Sequence, residues 1–186
     1  HSFFGLGILE GGQSRTVERA LKNPRLKKRL KETDTVVIDE ISMLSGETLA
    51  TAEEISRLAR GNDMPWGNLR VVAVGDFAQL PPVTPGRESP DWAFRHEVWE
   101  RSDFKPISLE TIHRCPSAEW NGVLNRIREG VCDAQVREAL NGRMGMGSEE
   151  TEVTRLFGLR SEAENYNRLR LDDLPMDPVT YETEYS

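Results

Sequence analysis

The sequence predicts an α/β fold in which a parallel sheet is flanked by helices. Two short runs of β-branched and apolar residues, at 35–38 and 69–74, have the continuous apolar character of strands buried on both faces. Helical patterns occur at residues 46–60 and 117–129, so that strands and helices alternate along the chain. This alternation is typical of sheets whose strands run parallel.

The elements of the first half follow from local patterns. Residues 15–32 are predicted to be helical, either as one helix or as two short helices separated at Pro24. Residues 79–86 contain three prolines, which lack the N–H that a central strand requires, so they are predicted to form an extended loop. The helix at 46–60 is expected to bury a stripe formed by Ala52, Ile55, Leu58 and Ala59.

In the second half, one helix is marked by apolar residues at helical spacing and by Ser117, a suitable N-terminal cap. Its stripe consists of Trp120, Val123, Leu124 and Ile127. A domain boundary is expected near residue 105. The other predicted elements are helices at 91–100, 133–142 and 161–173 and strands at 106–109, 153–159 and 179–185.

Composition narrows the class of protein. The 186 residues contain no apolar run long enough to span a membrane, and a hydrophobic content of 37% is too high for a disordered chain. Two cysteines without a CxxC spacing exclude a disulfide framework and a cysteine-rich zinc site, and they fit a reducing compartment. We expect no signal peptide. We also expect an internal fragment, because the chain starts with His followed by an apolar run.

Charge is distributed unevenly along the chain. The formal net charge is −7, yet residues 1–31 carry eight basic and two acidic side chains. Because screening limits electrostatic effects to about 10 Å, local charge matters more than the total. The basic residues that cluster in the second half of the predicted helix form either a solvated face or a surface facing phosphates: Arg25, Lys27, Lys28, Arg29 and Lys31.

Two acidic residues, Asp39 and Glu40, directly follow the first predicted strand. Acids at the carboxyl edge of a parallel sheet lie where α/β folds bind ligands. Asp39 is a candidate ligand for Mg²⁺, and Glu40 is a candidate to polarise a water for attack on a phosphate. The alternative is that both acids only cap the next helix.

Gln79 follows the second predicted strand and is expected to lie beside this acid pair if the strands are neighbours. Its amide would donate to a phosphate oxygen and so sense whether the phosphate is present. The rigid Pro81-Pro82 segment would transmit the presence or absence of the phosphate to a second site. The alternative is an ordinary surface loop. Arg114 is a candidate to stabilise charge on the same phosphate, although a single arginine is more often a salt-bridge partner.

Several stretches resemble the petite-integration-frequency helicases, ATP-driven DNA helicases of superfamily one that move 5′ to 3′ on single strands. The main stretches are VVIDEISML at 36–44, GDFAQLPPV at 75–83 and HSFFGLG at 1–7. Further agreement lies at residues 58–60 with 65–67, 109–114 and 124–130. Beyond residue 130 the resemblance rests mainly on residues 156–171.

The resemblance implies a RecA-like P-loop NTPase fold, with residues 1–105 as an incomplete first motor domain and 106–186 as the start of a second. It also implies roles in an ATP site. Asp39 would serve Mg²⁺ and Glu40 would activate the hydrolytic water. Gln79 would contact the γ-phosphate, and Arg114 would complete the site from the second motor domain. The residues expected near single-stranded DNA are His1, Ser2, Phe3, Trp66, Pro81 and Pro82.

The implied protein is a monomeric motor that uses ATP and Mg²⁺ and acts on single-stranded and forked duplex DNA, with no membrane partner. It would serve replication, repair or recombination, inside the cell. The compartment would be the cytoplasm of a prokaryote or a nucleus or mitochondrion.

The chain departs from the family in two places. No G-x-x-x-x-G-K-[ST] phosphate loop occurs in the 186 residues, so we expect that loop upstream of His1 and expect the fragment alone to be inactive. His113-Arg114-Cys115 stands where the family usually has Phe-Arg-Gln, which leaves the role of the neighbouring glutamine open. Two alternatives are a metal-dependent nuclease using Asp39, Glu40 and Asp76, and a non-catalytic binding remnant.

Overall fold

The computed structural model describes residues 2–7, 11–83, 86, 89–145, 154–176 and 179. The chain separates into two compact units, His1–Pro116 and Ser117–Ser186. The domain boundary predicted near residue 105 falls within the first unit. That the chain holds parts of two motor domains remains a prediction.

The first unit alternates helices and strands. Pro24 begins a second helix, which Asn23 caps by accepting the N–H groups of Arg25 and Leu26 at 3.0 and 3.2 Å. The separation of residues 15–32 into two helices is therefore confirmed. The elements are α1 (Gly12–Leu21), α2 (Pro24–Glu32), β1 (Thr35–Ile38), α3 (Gly46–Arg60), β2 (Arg70–Ala73) and α4 (Glu97–Ser102), with 3₁₀ turns at Ile41–Met43, Pro65–Asn68 and Ala93–Arg95.

The two strands pair in parallel, with Thr35 beside Arg70 and Ile38 beside Ala73. The predicted parallel arrangement is confirmed. The prediction that both strands are buried on both faces is wrong, because Val37 of β1 is 63% exposed and Val72 of β2 is 38% exposed. Alternate residues of β1 face the core, and the residues between them face outward, as the period of two in a strand requires.

The core of the first unit is built around α3. Ser45 Oγ caps this helix by accepting the N–H of Thr48 at 3.1 Å, and Gly61 ends it in the left-handed conformation. Leu49 is fully buried. The predicted stripe is confirmed at Ala52, Ile55 and Ala59, but Leu58 lies at its edge and is 44% exposed.

A buried carboxylate, Glu53, joins α3 to two neighbouring segments. Its Oε1 accepts the N–H of Trp66 at 3.2 Å, and its Oε2 accepts Arg101 Nη2 at 2.9 Å. The indole N–H of Trp66 donates to Ser102 Oγ at 2.8 Å. Because a buried charge is costly unless it is paired, this network fixes the Pro65–Asn68 turn against α3 and α4.

The second unit contains α5 (Ala118–Arg128), α6 (Ala134–Asn141) and α7 (Arg160–Asp172). The predicted cap is confirmed, because Ser117 Oγ accepts the N–H of Trp120 at 3.2 Å. Val123 of α5 is buried, whereas Leu124 and Ile127 are each 43% exposed. Helical spacing therefore predicted α5 correctly and the burial of its stripe only in part.

Other predicted elements differ from the structure. Residues 91–100 form a 3₁₀ turn followed by α4, and residues 106–109 and 154–159 form no strand. A strand needs a hydrogen-bonded partner, which the described residues do not provide there. Of the strand predicted at 179–185, all but Val179 lies outside the described residues, as does Val153. None of the described helices is long and apolar enough to cross a membrane.

Candidate functional site

Asp39 and Glu40 are exposed where β1 ends at the carboxyl edge of the sheet. Asp39 Oδ1 accepts the backbone N–H of Glu40 at 2.9 Å. Glu40 has φ 51° and ψ 45°, a left-handed conformation that is uncommon outside glycine and that costs about 1–3 kcal/mol. Neither acid caps the next helix with its side chain, because Ser45 caps α3. The geometry thus favours a functional interpretation of the pair over helix capping.

The loop after β2 packs against the turn that follows Glu40. The N–H of Ile41 donates to Val74 O at 3.0 Å. A Cβ at Gly75 would lie 2.9 Å from Ile41 N and 3.0 Å from Ile41 Cγ2, closer than side chains normally approach. Glycine therefore permits a contact that brings the loop at 75–80 to the end of β1.

Asp76 organises this loop and holds Gln79. Its Oδ1 accepts the N–H of Ala78 at 3.0 Å, and its Oδ2 accepts Gln79 Nε2 at 3.2 Å. The backbone N–H of Gln79 also donates to Asp76 O at 3.0 Å. Gln79 is exposed, so a tight turn presents its amide at the same edge of the sheet as Asp39 and Glu40.

An aromatic cluster anchors the same loop. The ring of Phe77 lies 4.9 Å from that of Phe94 and 5.6 Å from that of Trp99, both in edge-to-face arrangements. Sequence reasoning did not single out Phe77. The signal in the sequence is a large aromatic residue inside a polar loop, which indicates an anchor in the core. Leu80 and Pro81 are exposed beyond it, whereas Pro82 is buried.

Trp66 lies in the core and not on a surface where it could meet a base. It is 2% exposed, and its ring lies 6.0 Å from that of Phe4. Both of its N–H groups already donate to Glu53 and Ser102. The structure thus gives Trp66 a packing role, and its ring is not available for stacking in this conformation.

The segment at residues 2–7 is fastened to α1 and α2. Arg29 donates to the carbonyl oxygens of Ser2, at 3.1 Å, and Phe3, and its guanidinium lies 5.0 Å from the centre of the Phe3 ring. Arg19 Nη2 donates to Leu6 O at 2.7 Å. Ser2 is exposed and Phe3 is half-buried, while His1 lies outside the described residues. Sequence reasoning placed Arg29 only in a basic cluster and missed this specific role.

Arg114 is exposed on the irregular segment that ends the first unit. The structure does not bring it into hydrogen-bonding contact with Asp39, Glu40 or Gln79. Its assignment to a phosphate site therefore stays a prediction.

Asp39 is the candidate magnesium ligand at this edge of the sheet. Across the part of the chain that the structure describes, no three His, Cys, Asp or Glu side chains form a metal-binding group. Asp76 directs its carboxylate to its own loop. Two-metal hydrolysis requires converging carboxylates, so this geometry does not favour the nuclease alternative. The exposed carboxylate of Asp39 fits Mg²⁺, which is commonly held by one or two carboxylates and several waters.

Comparisons with known proteins agree on one family. The model of the PIF1-like helicase family matches residues 1–138. The ATP-dependent DNA helicase Pif1 of Bdellovibrio bacteriovorus is 45% identical over all of this chain, which spans 42% of that protein. The crystal structure of Pif1 helicase from Candida albicans has a TM-score of 0.82 and 31% identity, over 95% of this chain and 40% of that one. This likeness confirms the predicted RecA-like fold.

A further solved structure, of Bacteroides sp. Pif1 in complex with ADP-AlF4, has a TM-score of 0.66 and 28% identity. It matches 80% of this chain and 37% of that chain.

Proposed function

Because the chain belongs to the PIF1-like helicase family, we propose that the protein containing it is an ATP-dependent DNA helicase. The motor would couple ATP hydrolysis to 5′-to-3′ movement along single-stranded DNA and to separation of forked duplexes. It would act as a monomer in DNA replication, repair or recombination. Its place would be the bacterial cytoplasm, or a nucleus or mitochondrion.

The observation that carries the proposal is the contact between the two strand ends. The close approach of Gly75 to Ile41 brings the loop that carries Gln79 to the end of β1, which Asp39 and Glu40 follow. This is the edge at which α/β folds bind ligands. The names of the relatives support the choice of nucleotide, since one is called ATP-dependent and another was solved with ADP-AlF4.

Each residue at this edge would have a distinct task. Asp39 would hold Mg²⁺, which neutralises charge developing on the transferred phosphate. Glu40 would orient the attacking water and take up its proton, and Gln79 would donate to a γ-phosphate oxygen. Arg114 would stabilise the same charge. The phosphate loop that completes such a site does not occur in these 186 residues.

Single-stranded DNA would contact the exposed parts of the segment at 2–7 and of the loop after Gln79. Ser2, Phe3 and Pro81 present surface there, whereas Trp66 and Pro82 are buried. Sequence-tolerant binding of this kind depends on stacking and on backbone contacts.

The test is strand separation by the intact protein that contains this chain. Two forks that differ only in the polarity of their single-stranded tail are incubated with ATP and Mg²⁺. We expect the fork with a 5′ tail to be unwound, with no unwinding when a non-hydrolysable ATP analogue replaces ATP.

Three results would contradict the proposal. Unwinding of the 3′-tailed fork alone would show that the motor moves in the opposite direction, from 3′ to 5′. Cleavage of DNA without ATP would favour the nuclease, and failure of the intact protein to bind ATP would favour a non-catalytic remnant.

A further inference from the structure

Helix α2 exposes an unusual concentration of positive charge. Its nine residues carry five basic side chains and one acidic side chain, in a chain whose formal net charge is −7. Three of the five lysines in the chain lie here: Lys27, Lys28 and Lys31. We call these three residues the α2 lysines. All of them are exposed.

The fold does not depend on the α2 lysines. The helix is held in place by Leu26 and Leu30, which are 2% and 0% exposed. Lys28 lies 3.8 Å from Glu32, too far for a hydrogen bond, so this ion pair contributes little. In the part of the chain that the structure describes, Lys27 and Lys31 form no ion pair.

The other two lysines of the chain behave differently. Lys22 lies 2.7 Å from Glu18, and Lys105 lies 2.8 Å from Asp103. Their charges are therefore balanced locally. The α2 lysines therefore form a net cationic surface, and Lys22 and Lys105 provide a matched control pair.

The helix that carries the α2 lysines also contacts the segment proposed to touch DNA. Arg29, on the same helix, donates to the carbonyl oxygens of Ser2 and Phe3 and lies over the Phe3 ring. Residues 2–7 therefore lie against the same helix that carries the α2 lysines. An aromatic ring together with exposed cations is the combination that suits single-stranded nucleic acid.

A polar recess lies beside Lys31. It has a volume of about 150 Å³ and is lined by Lys31, Arg60, Asn62, Gly67 and Asn68. Asn62 Oδ1 accepts the N–H of Met64 at 2.9 Å, so its amide nitrogen is the atom that can donate outward. The recess adds hydrogen-bond donors next to the cations, as a phosphate group requires.

We infer that the α2 lysines bind the phosphate backbone of the single strand that continues from Ser2 and Phe3. This inference rests on the proposed function. The contacts are electrostatic and carry no sequence preference. They extend the DNA-binding surface of the first unit along α2.

The test is the salt dependence of single-strand binding by the intact protein. Binding of a fluorescent oligothymidine is measured by anisotropy between low and moderate salt, for the wild type and for K27Q/K28Q/K31Q. Each phosphate contact contributes about 0.7 to the slope of log K against log salt, so the triple variant should lose about 2 from the slope. Its affinity at about 0.1 M salt should fall at least about tenfold.

The matched control is K22Q/K105Q, which removes two lysines that already pair with carboxylates. This variant should keep the wild-type slope. Circular dichroism should show the same helix content for the triple variant as for the wild type, because the substituted side chains are exposed. Arg29 is left intact because it fastens the segment at 2–7.

The outcomes separate this inference from the proposed function. An unchanged slope in the triple variant, with normal wild-type binding, overturns the inference alone. A loss that appears on duplex DNA but not on the single strand also overturns it. A wild-type protein that binds no DNA would overturn the proposed function as well.

Discussion

The two units use the same helical pattern to different effect. In the first unit, α3 buries Leu49 and Ile55 completely, and its buried carboxylate Glu53 has partners. In the second unit, α5 buries only Val123, and the described α7 has no buried residue. Apolar periodicity therefore predicts where a helix forms. It does not predict how deeply the helix is buried, because burial depends on distant parts of the chain.

The largest expected effect is a loss of stability, and it should differ between an apolar residue of the first unit and one of the second. Leu49→Ala leaves a cavity at a fully buried position, and we expect it to lower the free energy of unfolding by about 2–5 kcal/mol. Ile127→Ala, at a position 43% exposed, should cost about 1 kcal/mol or less. Urea unfolding of the 186-residue chain, followed by circular dichroism, measures both. Equal losses of unfolding free energy in the two variants would contradict the difference in burial between the two units.

A smaller contrast concerns two glycines. Gly75→Ala would force a Cβ against the backbone of Ile41, so we expect a loss of about 1–3 kcal/mol and a fall in ATP hydrolysis by the intact protein as Glu40 is displaced. Gly122 lies in α5 with open space around it, so Gly122→Ala should stabilise the chain by about 0.5–1 kcal/mol. An ATPase assay measures hydrolysis by the Gly75→Ala protein, and thermal melting measures the stability of the Gly122→Ala protein. A Gly75→Ala protein with wild-type stability and activity would show that the close approach is unimportant.

The location of Asp39 and Glu40 at the end of β1 could be predicted because both follow the strand directly. Gln79 lies in the loop beyond β2, and its approach to this edge also depends on the packing of Gly75 against Ile41. The roles of Arg29 and Glu53 could not be predicted. Arg29 binds residues 26 and 27 positions away, and Glu53 pairs with a residue 48 positions away, so both depend on tertiary packing.

Tertiary packing also accounts for what the sequence left out. The family resemblance implies that Trp66 lies near DNA, which stays a prediction, but the sequence does not show that its ring packs on Phe4 or that Glu53 fixes its turn. Ile107 and Leu109 belong to a predicted strand and are instead 84% and 88% exposed. Local sequence contains the propensity for a strand but not the partner that a strand needs.

Glu40 is proposed to act on the water that attacks ATP. In the intact protein, Glu40→Gln keeps the size and polarity of the side chain and removes its ability to take up a proton. Single-turnover measurements should show ATP bound as in the wild type and hydrolysed at least about 10²-fold more slowly. Glu100→Gln, an exposed change on α4, should leave both unchanged. A Glu40→Gln protein that hydrolyses ATP at the wild-type rate would contradict the account.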